Sequence, residues 1–353
     1  MSGIMGMNIK IAIYGESHGK SIGVVLDGLP PGLKLDEAAI AKEMARRAPG
    51  QNALSTARKE KDAVSIESGF FNGYTTGTPL CARIENSDQH SKDYSILADK
   101  MRPGHADYAG RVHYQGFNDY RGGGHFSGRI TAPLVFAGAV AKQALAQAGI
   151  RVGAHILQIQ DVCERRFNPL GVSDSDLRAL SEKSFAVLDD AVGETMQQRI
   201  LQAKGELNSV GGVIEAMALH LPVGIGAPYF DSVESRLSQA LFSVPAVKGV
   251  EFGDGFGFAA LTGAEANDAM HYVGEKVECL TNGMPLVLRV AVKPTPSIAR
   301  EQRTVSLKEK QDTTLKIVGR HDPCIVQRAV PVIEAVIAWT LWDLLLEAKK
   351  WEK

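Results

Sequence analysis

The chain has 353 residues, of which 39 are basic and 40 are acidic, so its net charge at pH 7 is only −1. This balance gives no support for binding to nucleic acid or an anionic membrane, and any anion site must come from a local cluster of basic side chains. Four widely spaced cysteines without a C-x-x-C pair, no signal-peptide pattern and no apolar run of roughly 18 residues predict a cytoplasmic protein without disulfides or a membrane span.

The first two predicted strands, residues 9–14 and 21–27, flank the sequence YGESHGKS. Its Gly-Lys-Ser ending is similar to that of a P-loop, which binds nucleotide phosphates. A P-loop has four residues between its glycines and opens into a helix. Here three residues separate Gly15 from Gly19, and a strand rich in β-branched residues follows. The pattern therefore disfavours a P-loop nucleotidase or kinase and leaves a short glycine loop around His18.

The next elements are predicted at residues 35–47 (a helix with Asp36 as its N-cap), 63–70 (a strand) and 80–84 (a strand). Residues 99–130 contain three consecutive glycines among His, Arg, Tyr and Asp residues. This composition predicts an irregular segment whose backbone N–H groups can approach a ligand. An Ala-rich helix is then predicted to begin near Pro133 and to end at Gly149.

The second half of the chain is predicted to repeat this order of elements. Residues 151–210 are polar and typical of helices, with caps at Ser173 and Asp174. A strand, a Pro/Gly turn and a helix capped by Asp231 follow. The last helix is predicted to begin at Pro331, directly after a loop that contains His and Arg.

Two loops and two helices therefore have parallel layouts in the two halves. This repetition predicts an internally duplicated α+β unit with pseudo-symmetry. Since no linker rich in Pro, Ser or charge divides the chain, residues 1–353 are predicted to form a single domain.

Histidine placement is the strongest chemical signal. The histidines that lie in Gly/Pro loops with an arginine nearby are His18, His105, His125 and His321. A lone histidine is usually structural, but four in such loops predict a shared pocket. Histidine exchanges a proton near neutral pH, and arginine binds phosphate or carboxylate with two N–H groups. The pocket therefore suits a multiply anionic small molecule whose leaving group needs a proton, and the absence of H-x-x-x-H spacing predicts no metal.

Two stretches are ambiguous from the residues alone. Arg46 and Arg47 end the first predicted helix, where basic side chains also interact favourably with the helix dipole. The strand within residues 288–298 breaks at two prolines and exposes Lys293, Thr295 and Ser297 at its end. These side chains fit either a phosphate site or a solvent-exposed turn.

Seven stretches in order along nearly the whole chain resemble the chorismate synthase family: YGESHGKSIG, DGLPPG, MRPGHADYAG, DYRGGGHFSGR, VPAVKGVEFGDGF, AVKPTPSI and GRHDPCIVQRAVPVIEA. The resemblance implies a lyase that converts 5-enolpyruvylshikimate 3-phosphate to chorismate and phosphate by 1,4-anti elimination in aromatic amino-acid biosynthesis. It implies a requirement for reduced FMN without net redox change. It also implies a β-α-β sandwich with internal pseudo-symmetry, helices packed on antiparallel sheets, and a homotetramer.

The resemblance assigns roles to the residues whose motifs match. The implied catalytic residues are His18, which protonates the departing phosphate, His105, which protonates or holds the reduced flavin, and Asp322, which assists removal of the ring proton. The implied substrate-binding residues are Ser17, Arg46, Arg47 and Arg129. The implied cofactor-binding residues are His125, Phe126, Ser127, Ala246, Lys293, Pro294, Thr295, Pro296, Ser297 and Arg320.

The chain departs from the family pattern at three places. His125 and Phe126 stand where the family usually has Arg and Ser, and Ala53 stands near the place of a family arginine for which Arg58 is the candidate substitute. A glycine-rich flavin loop is reduced to TNG within ECLTNGMPL. Either the chain lacks this loop or residues are missing from the sequence, and we favour the second explanation because both flanks are intact.

Because the flavin loop is reduced to TNG, a non-catalytic protein that binds flavin or phosphate is an alternative to an enzyme. The family contains members that reduce their own flavin with NADPH and members that do not. No dinucleotide-binding fingerprint distinguishes the two here, so NADPH is expected only as a possible flavin reductant.

Overall fold

The computed structural model describes residues 3–50, 52, 54–55, 60, 62–87, 96–267, 271–273, 276–278, 284–317 and 321–349. The expectations placed on Arg320, Arg58, Ala53 and the TNG segment lie outside these residues and stay predictions.

The first half of the chain forms a five-stranded antiparallel sheet and a small hairpin. Its strands are β1 (Ile4–Met5), β2 (Lys10–Gly15), β3 (Ser21–Asp27), β4 (Val64–Ser68), β5 (Phe70–Phe71), β6 (Tyr74–Thr75) and β7 (Leu80–Glu85). The sheet order is β1-β2-β3-β7-β4, and β5 pairs with β6. In β3, alternate residues Ile22, Val24 and Leu26 are at most 1% exposed, because one face of the sheet is covered by helices.

Three helices belong to this half: α1 (Glu37–Arg47), α2 (Asp107–His113) and α3 (Thr131–Gln147). The predicted cap of α1 is confirmed, since the Asp36 carboxylate accepts hydrogen bonds from the N–H groups of Ala38 at 2.9 Å and Ala39 at 3.1 Å. The expectation that residues 99–130 contain no regular element is wrong in one respect, because α2 lies within them. Its seven residues follow the Pro-Gly-His turn and fill the space beside the glycine loop.

The second half forms another five-stranded antiparallel sheet. The strands described in this half, in the sheet and in two hairpins, are β8 (Arg151–Ile159), β9 (Val162–Cys163), β10 (Gly212–Leu219), β11 (Val247–Phe252), β12 (His271–Val273), β13 (Lys276–Glu278), β14 (Leu286–Val292), β15 (Glu301–Ser306) and β16 (Gln311–Lys316). The sheet order is β11-β14-β10-β8-β9, while β12–β13 and β15–β16 form separate hairpins. Its helices are α4 (Asp174–Glu182), α5 (Asp190–Gly205), α6 (Val233–Phe242), α7 (Gly263–Ala266) and α8 (Val326–Lys349).

Three sequence expectations in this half are corrected. Residues 151–159 form strand β8 rather than a helix, and five consecutive residues of it are buried, so no alternating pattern marks it as a strand. Ser232 rather than Asp231 caps α6, with its hydroxyl accepting from the Ser235 N–H at 3.2 Å. Helix α8 begins at Val326 and contains Pro331, whose missing N–H removes one helical hydrogen bond.

The long helices α3 and α8 pack together between the two sheets. Helix α3 lies on β3 and β7, and α8 lies on β8 and β10. The two helices approach closely because Gly138 has no side chain, and a Cβ there would collide with Ala335. One hydrophobic core cluster joins Ile11 of β2 to Leu345 of α8. The expected α+β sandwich, with helices between two antiparallel sheets and a similar layout in each half, is confirmed.

Helix α8 is the one described helix with the length and hydropathy of a membrane span, over Val326–Ala348. Buried positions make up 89% of its most apolar stretch, which is the environment of a core helix. Its apolar composition therefore follows from its place between the sheets.

Candidate active site

A cavity of about 800 Å³ lies between the two halves. Its walls include parts of segments 102–106 and 122–131 from the first half, and of 243–248 and 293–297 from the second, together with the start of α8. The predicted site residues in its lining are Arg47, His105, His125, Phe126, Ser127, Arg129, Ala246, Lys293, Thr295, Pro296, Ser297 and Asp322. Segments that are far apart in the chain therefore converge at one place.

The glycine loop of residues 122–124 forms part of the cavity wall. Gly122, Gly123 and Gly124 have φ values of 59°, 86° and 54°, a left-handed conformation that favours glycine. A Cβ at Gly122 would collide with the His18 ring, and the Ser17 N–H donates to the Gly124 carbonyl at 3.2 Å. Ser17 and His18 thus lie directly behind Gly122 and are 1% and 4% exposed.

His105 belongs to a compact group with Arg102 and Asp107. Its Nδ1 lies 2.7 Å from Asp107 Oδ1 and 3.2 Å from Arg102 Nη2. Arg102 also donates to Asp107 through Nε at 2.8 Å and through Nη2 at 2.7 Å. Burial would raise the pKa of Asp107, but contacts with Arg102 and His105 outweigh it and hold that pKa well below its usual range.

The three residues after the glycines have different surroundings. His125 Nδ1 lies 2.8 Å from the Gly15 carbonyl oxygen, which only accepts, so Nδ1 carries the proton and Nε2 is the other ring nitrogen. Phe126 packs against helix α2, where a Cβ on Gly110 would come within 3.1 Å of its ring atom Cζ. Ser127 caps a short turn, since its hydroxyl accepts from the Arg129 N–H at 3.3 Å.

Arg47 and Arg129 are held side by side by one carboxylate. Asp62 accepts from Arg47 Nη1 at 2.7 Å and forms a second ion pair with Arg129. Burial would raise the pKa of Asp62, but the two guanidinium groups outweigh burial and lower it. Arg47 also donates to the Gly128 carbonyl at 2.8 Å, which ties α1 to the loop before α3. The result is a fixed pair of cations at the cavity wall.

The second half contributes a turn with two unusual features. Ala246 has a φ of 77°, an uncommon conformation for a residue with a side chain, and its carbonyl accepts from the Lys293 N–H at 3.0 Å. The Lys293 ammonium donates to the Gly104 carbonyl, which ties this turn to the His105 loop. Ser297 accepts from Arg102 at 3.3 Å. The turn and the His105 loop therefore form one wall.

Asp322 lies at the other side of the cavity, just before α8. Its side chain is 7% exposed and forms an ion pair with Arg328 in the first turn of that helix. Arg328 also donates to the Arg47 carbonyl at 3.0 Å. This contact joins the second-half loop to helix α1 of the first half.

Four of the described residues with a predicted site role are absent from the cavity lining: Ser17 and His18, which lie behind Gly122, and Arg46 and Pro294. Arg46 points instead into a buried ion-pair network, donating to Glu334 at 2.6 and 3.0 Å. Those carboxylate contacts raise the pKa of Arg46 despite its burial, which by itself would lower that pKa. Pro294 lines a separate, polar cavity of about 460 Å³ beside β14.

Sequence reasoning missed several side chains of the site. Asp62 lies outside the quoted motifs, and Arg328 lies within GRHDPCIVQRAVPVIEA without a predicted role; the structure pairs them with Arg47 and Asp322. Asp107 stands two residues after His105 in MRPGHADYAG, so a carboxylate close to a loop histidine was the available signal. Among the described residues, no group of three or more His, Cys, Asp or Glu side chains could hold a metal ion.

A model of the family described as chorismate synthase matches residues 9–346 of this chain. The chain belongs to the chorismate synthase family. It is 45% identical to the chorismate synthase of Pyrococcus abyssi and 43% identical to that of Methanocaldococcus jannaschii. The first alignment covers 98% of both chains, and the second covers 97% of this chain and 96% of the relative.

The fold agrees with this family membership. A crystal structure of a chorismate synthase superposes with a TM-score of 0.75 and 28% sequence identity, covering 97% of this chain and 93% of that one. Membership in the chorismate synthase family makes this protein an enzyme. The cavity between its two sheets is the candidate place for the reaction.

Proposed function

We propose that this enzyme is a lyase that converts 5-enolpyruvylshikimate 3-phosphate to chorismate and phosphate in the shikimate pathway of the cytoplasm, and that it requires reduced FMN. The observation that carries the proposal is the convergence of His105, Arg129, Thr295 and Asp322 on one cavity. Its volume of about 800 Å³ lies within the range of ligand pockets in proteins. Basic side chains in its wall suit an anionic substrate.

Two hydroxyl groups support binding of phosphorylated ligands. The side-chain oxygens of Ser17 and Thr295 are buried and have no hydrogen-bond partner within the described part of the protein. A buried hydroxyl without a partner costs free energy, typically about 1–3 kcal/mol, and a bound phosphate oxygen would remove that cost. One of these hydroxyls lies beside His18 and the other in the turn before Ser297.

The residues of the second-half turn fit a flavin phosphate. Lys293 and Thr295 would bind its oxygens, and Ala246, whose backbone is strained, would line the same part of the site. When bound, reduced FMN supplies an electron-rich ring that can lend charge as the C–O bond breaks. His105 would hold a proton at the flavin side of the cavity.

The remaining side chains act on the substrate. Arg47 and Arg129 would bind its anionic groups, while Asp62 forms an ion pair with each of the two guanidinium groups. His18 would donate a proton to the departing phosphate, next to the Ser17 hydroxyl. Asp322 would accept a proton on the opposite side, with Arg328 stabilising its charged form.

An anaerobic assay with the phosphorylated enolpyruvyl substrate and chemically reduced FMN tests the proposal. We expect equal amounts of chorismate and phosphate, and no product without reduced FMN. The variant His18→Ala should lower turnover roughly 10²-fold or more, as loss of a general acid does. His220→Ala, at an exposed histidine paired with Asp174, is the matched control and should leave turnover unchanged. Absence of product, or ATP hydrolysis independent of flavin, would overturn the proposal.

NADPH enters the proposal only as a reductant of the flavin. Oxidation of NADPH by the protein and FMN in the absence of substrate would assign that additional step to this chain. A homotetramer is likewise proposed from the family, and light scattering of the purified protein measures it directly.

A further inference from the structure

We propose that Asp107 is a positioning residue that keeps a proton on Nδ1 of His105, so that Nε2 is the atom that exchanges a proton in the cavity. The inference deepens the proposed function and depends on it for its catalytic consequence. Its structural content, the position of the proton on one imidazole ring, can be measured without any ligand.

The contacts of His105 Nδ1 favour a proton on this nitrogen. Asp107 Oδ1 lies 2.7 Å from this nitrogen, and Arg102 Nη2 lies 3.2 Å from it. If Nδ1 accepted a hydrogen bond from Arg102, its lone pair would also face a carboxylate oxygen at 2.7 Å, which is a repulsive contact. A proton on Nδ1 turns that contact into an attractive one. Arg102 Nη2 then keeps its own bond to Asp107 Oδ1, also 2.7 Å long.

The carboxylate itself is rigidly held. Arg102 donates to Asp107 Oδ2 from its backbone N–H at 3.0 Å and from Nε at 2.8 Å. Asp107 is only 8% exposed, so water does not compete strongly for its oxygens. Since Arg102 also donates to Ser297, the carboxylate is fixed relative to the second-half turn of the cavity. A fixed acceptor of this kind selects one histidine tautomer.

The other edge of the ring faces the glycine loop. A Cβ on Gly123 would lie 2.9 Å from Cε1 and 3.1 Å from Nε2 of His105. Because position 123 has no side chain, Nε2 remains next to bare backbone in the lining of the cavity. From the second half, the Lys293 ammonium donates to the carbonyl of Gly104, the residue before His105. Nε2 is therefore the ring nitrogen placed to meet a ligand.

The proton position can be read from long-range ¹H–¹⁵N spectra of ligand-free protein labelled with ¹⁵N-histidine, with His105→Gln identifying the signals. At a pH where the ring is neutral, we expect a protonated Nδ1 and an unprotonated Nε2. Asp107→Asn should move the proton to Nε2, because an amide can turn its NH₂ group toward Nδ1. Arg102→Gln should leave the proton on Nδ1. A wild-type ring protonated at Nε2, or a change in Arg102→Gln alone, would overturn the inference.

Turnover gives the second readout. Asp107→Asn should lower kcat roughly 10²-fold, as loss of a correctly oriented acid–base group does, and leave the KM for the substrate little changed. The matched control is Asp254→Asn, which removes a carboxylate from an exposed pair with Arg166 and should have no effect. Full turnover by Asp107→Asn would overturn the positioning role. A wild-type spectrum as expected without any turnover would instead remove the proposed function and leave the tautomer assignment standing.

If Asp107→Asn fails to fold, as circular dichroism would show, the wild-type and Arg102→Gln spectra still decide the question. Both retain the carboxylate on which the inference rests.

Discussion

His105 in the first half and His155 in the second half both contact carboxylates, and they differ in which ring nitrogens those carboxylates occupy. His105 has a carboxylate at Nδ1, and its other edge faces the glycine loop of the cavity. His155, in strand β8, is fully buried between two carboxylates. Its Nδ1 contacts Glu164, and its Nε2 lies 3.0 Å from Glu215.

The number of carboxylates decides the chemistry of each ring. Both nitrogens of His155 face carboxylate oxygens, which favours a proton on each nitrogen and a positively charged ring. Arg289 also contacts Glu215 at 3.2 Å, and the Phe167 N–H donates to Glu215 at 2.6 Å. This network stabilises the second sheet and has no free nitrogen for proton exchange. A histidine with one carboxylate and one open nitrogen is suited to exchange a proton, whereas one with two carboxylates is structural.

The largest expected effect comes from breaking the buried network around His155. Glu215→Gln should lower the free energy of unfolding by about 3–5 kcal/mol, because it leaves the buried charges of His155 and Arg289 with fewer partners. Urea unfolding followed by circular dichroism measures this change. The folded fraction should turn over substrate at the wild-type rate, since the network lies outside the cavity lining.

A loss of turnover in folded Glu215→Gln protein would contradict the division between a structural and a reactive histidine. Glu67→Gln, at an exposed pair with Arg83, is the matched control for removing a carboxylate. It should change the free energy of unfolding by less than about 1 kcal/mol.

A smaller effect on stability is expected from a substitution beside His105. Gly123→Ala places a methyl group against the His105 ring and forces an L-residue into a φ of 86°, which costs about 1–2 kcal/mol. Because the ring cannot move away without leaving Asp107, turnover should fall by up to about 10²-fold. Unfolding curves and steady-state kinetics separate the two effects.

The matched control for this variant is Gly128→Ala in the same loop. Its backbone does not adopt a positive φ, and no atom lies within 4 Å of the position of the new Cβ. Gly128→Ala should therefore keep near-normal stability and turnover. Equal losses in both variants would show that the loop, rather than the ring of His105, is sensitive to substitution.

The smallest expected effect is the pH dependence of stability. Burial would lower the pKa of His155, but the carboxylates of Glu164 and Glu215 outweigh it and raise that pKa. The stabilisation is therefore complete below the ordinary histidine pKa of about 6.5 and is lost as the pH rises through the higher folded-state pKa. Urea unfolding across this range should show stability that declines toward alkaline pH and a weaker decline in Glu215→Gln. A stability that rises with pH over the same range in wild type alone would contradict the assignment.

Much of the local structure could be predicted from residue patterns. Asp36 caps α1 as expected, and β3 has the predicted bounds, because caps and alternating burial are local signals. Strand β8 escaped prediction because its centre is buried on both faces, so the sequence shows an apolar run instead of alternation. The cap at Ser232 differs by one residue from the prediction because Asp231 is engaged with Arg236.

The residues of the candidate site were also only partly predictable from the sequence. The loop histidines, arginines and glycines indicated a shared pocket from the sequence alone. The lining of the cavity contains most of the residues expected from the family resemblance. The exclusion of Arg46 was not visible, because its partner Glu334 lies 288 residues away in the chain. Asp62 and Arg328 lie only 15 and 6 residues from their partners Arg47 and Asp322, but no local pattern identifies these pairs.

The sequence by itself determined the family, the duplicated order of elements and the loops that carry reactive side chains, because these are properties of short segments and their order. Only the tertiary structure decided which of two neighbouring arginines faces the cavity and which histidine keeps an open nitrogen. Arg46 and Arg47 are adjacent on α1, yet one pairs with α8 and the other with Asp62. The physical reason is that packing decides which groups surround a buried side chain, and those groups set its charge and hydrogen bonding.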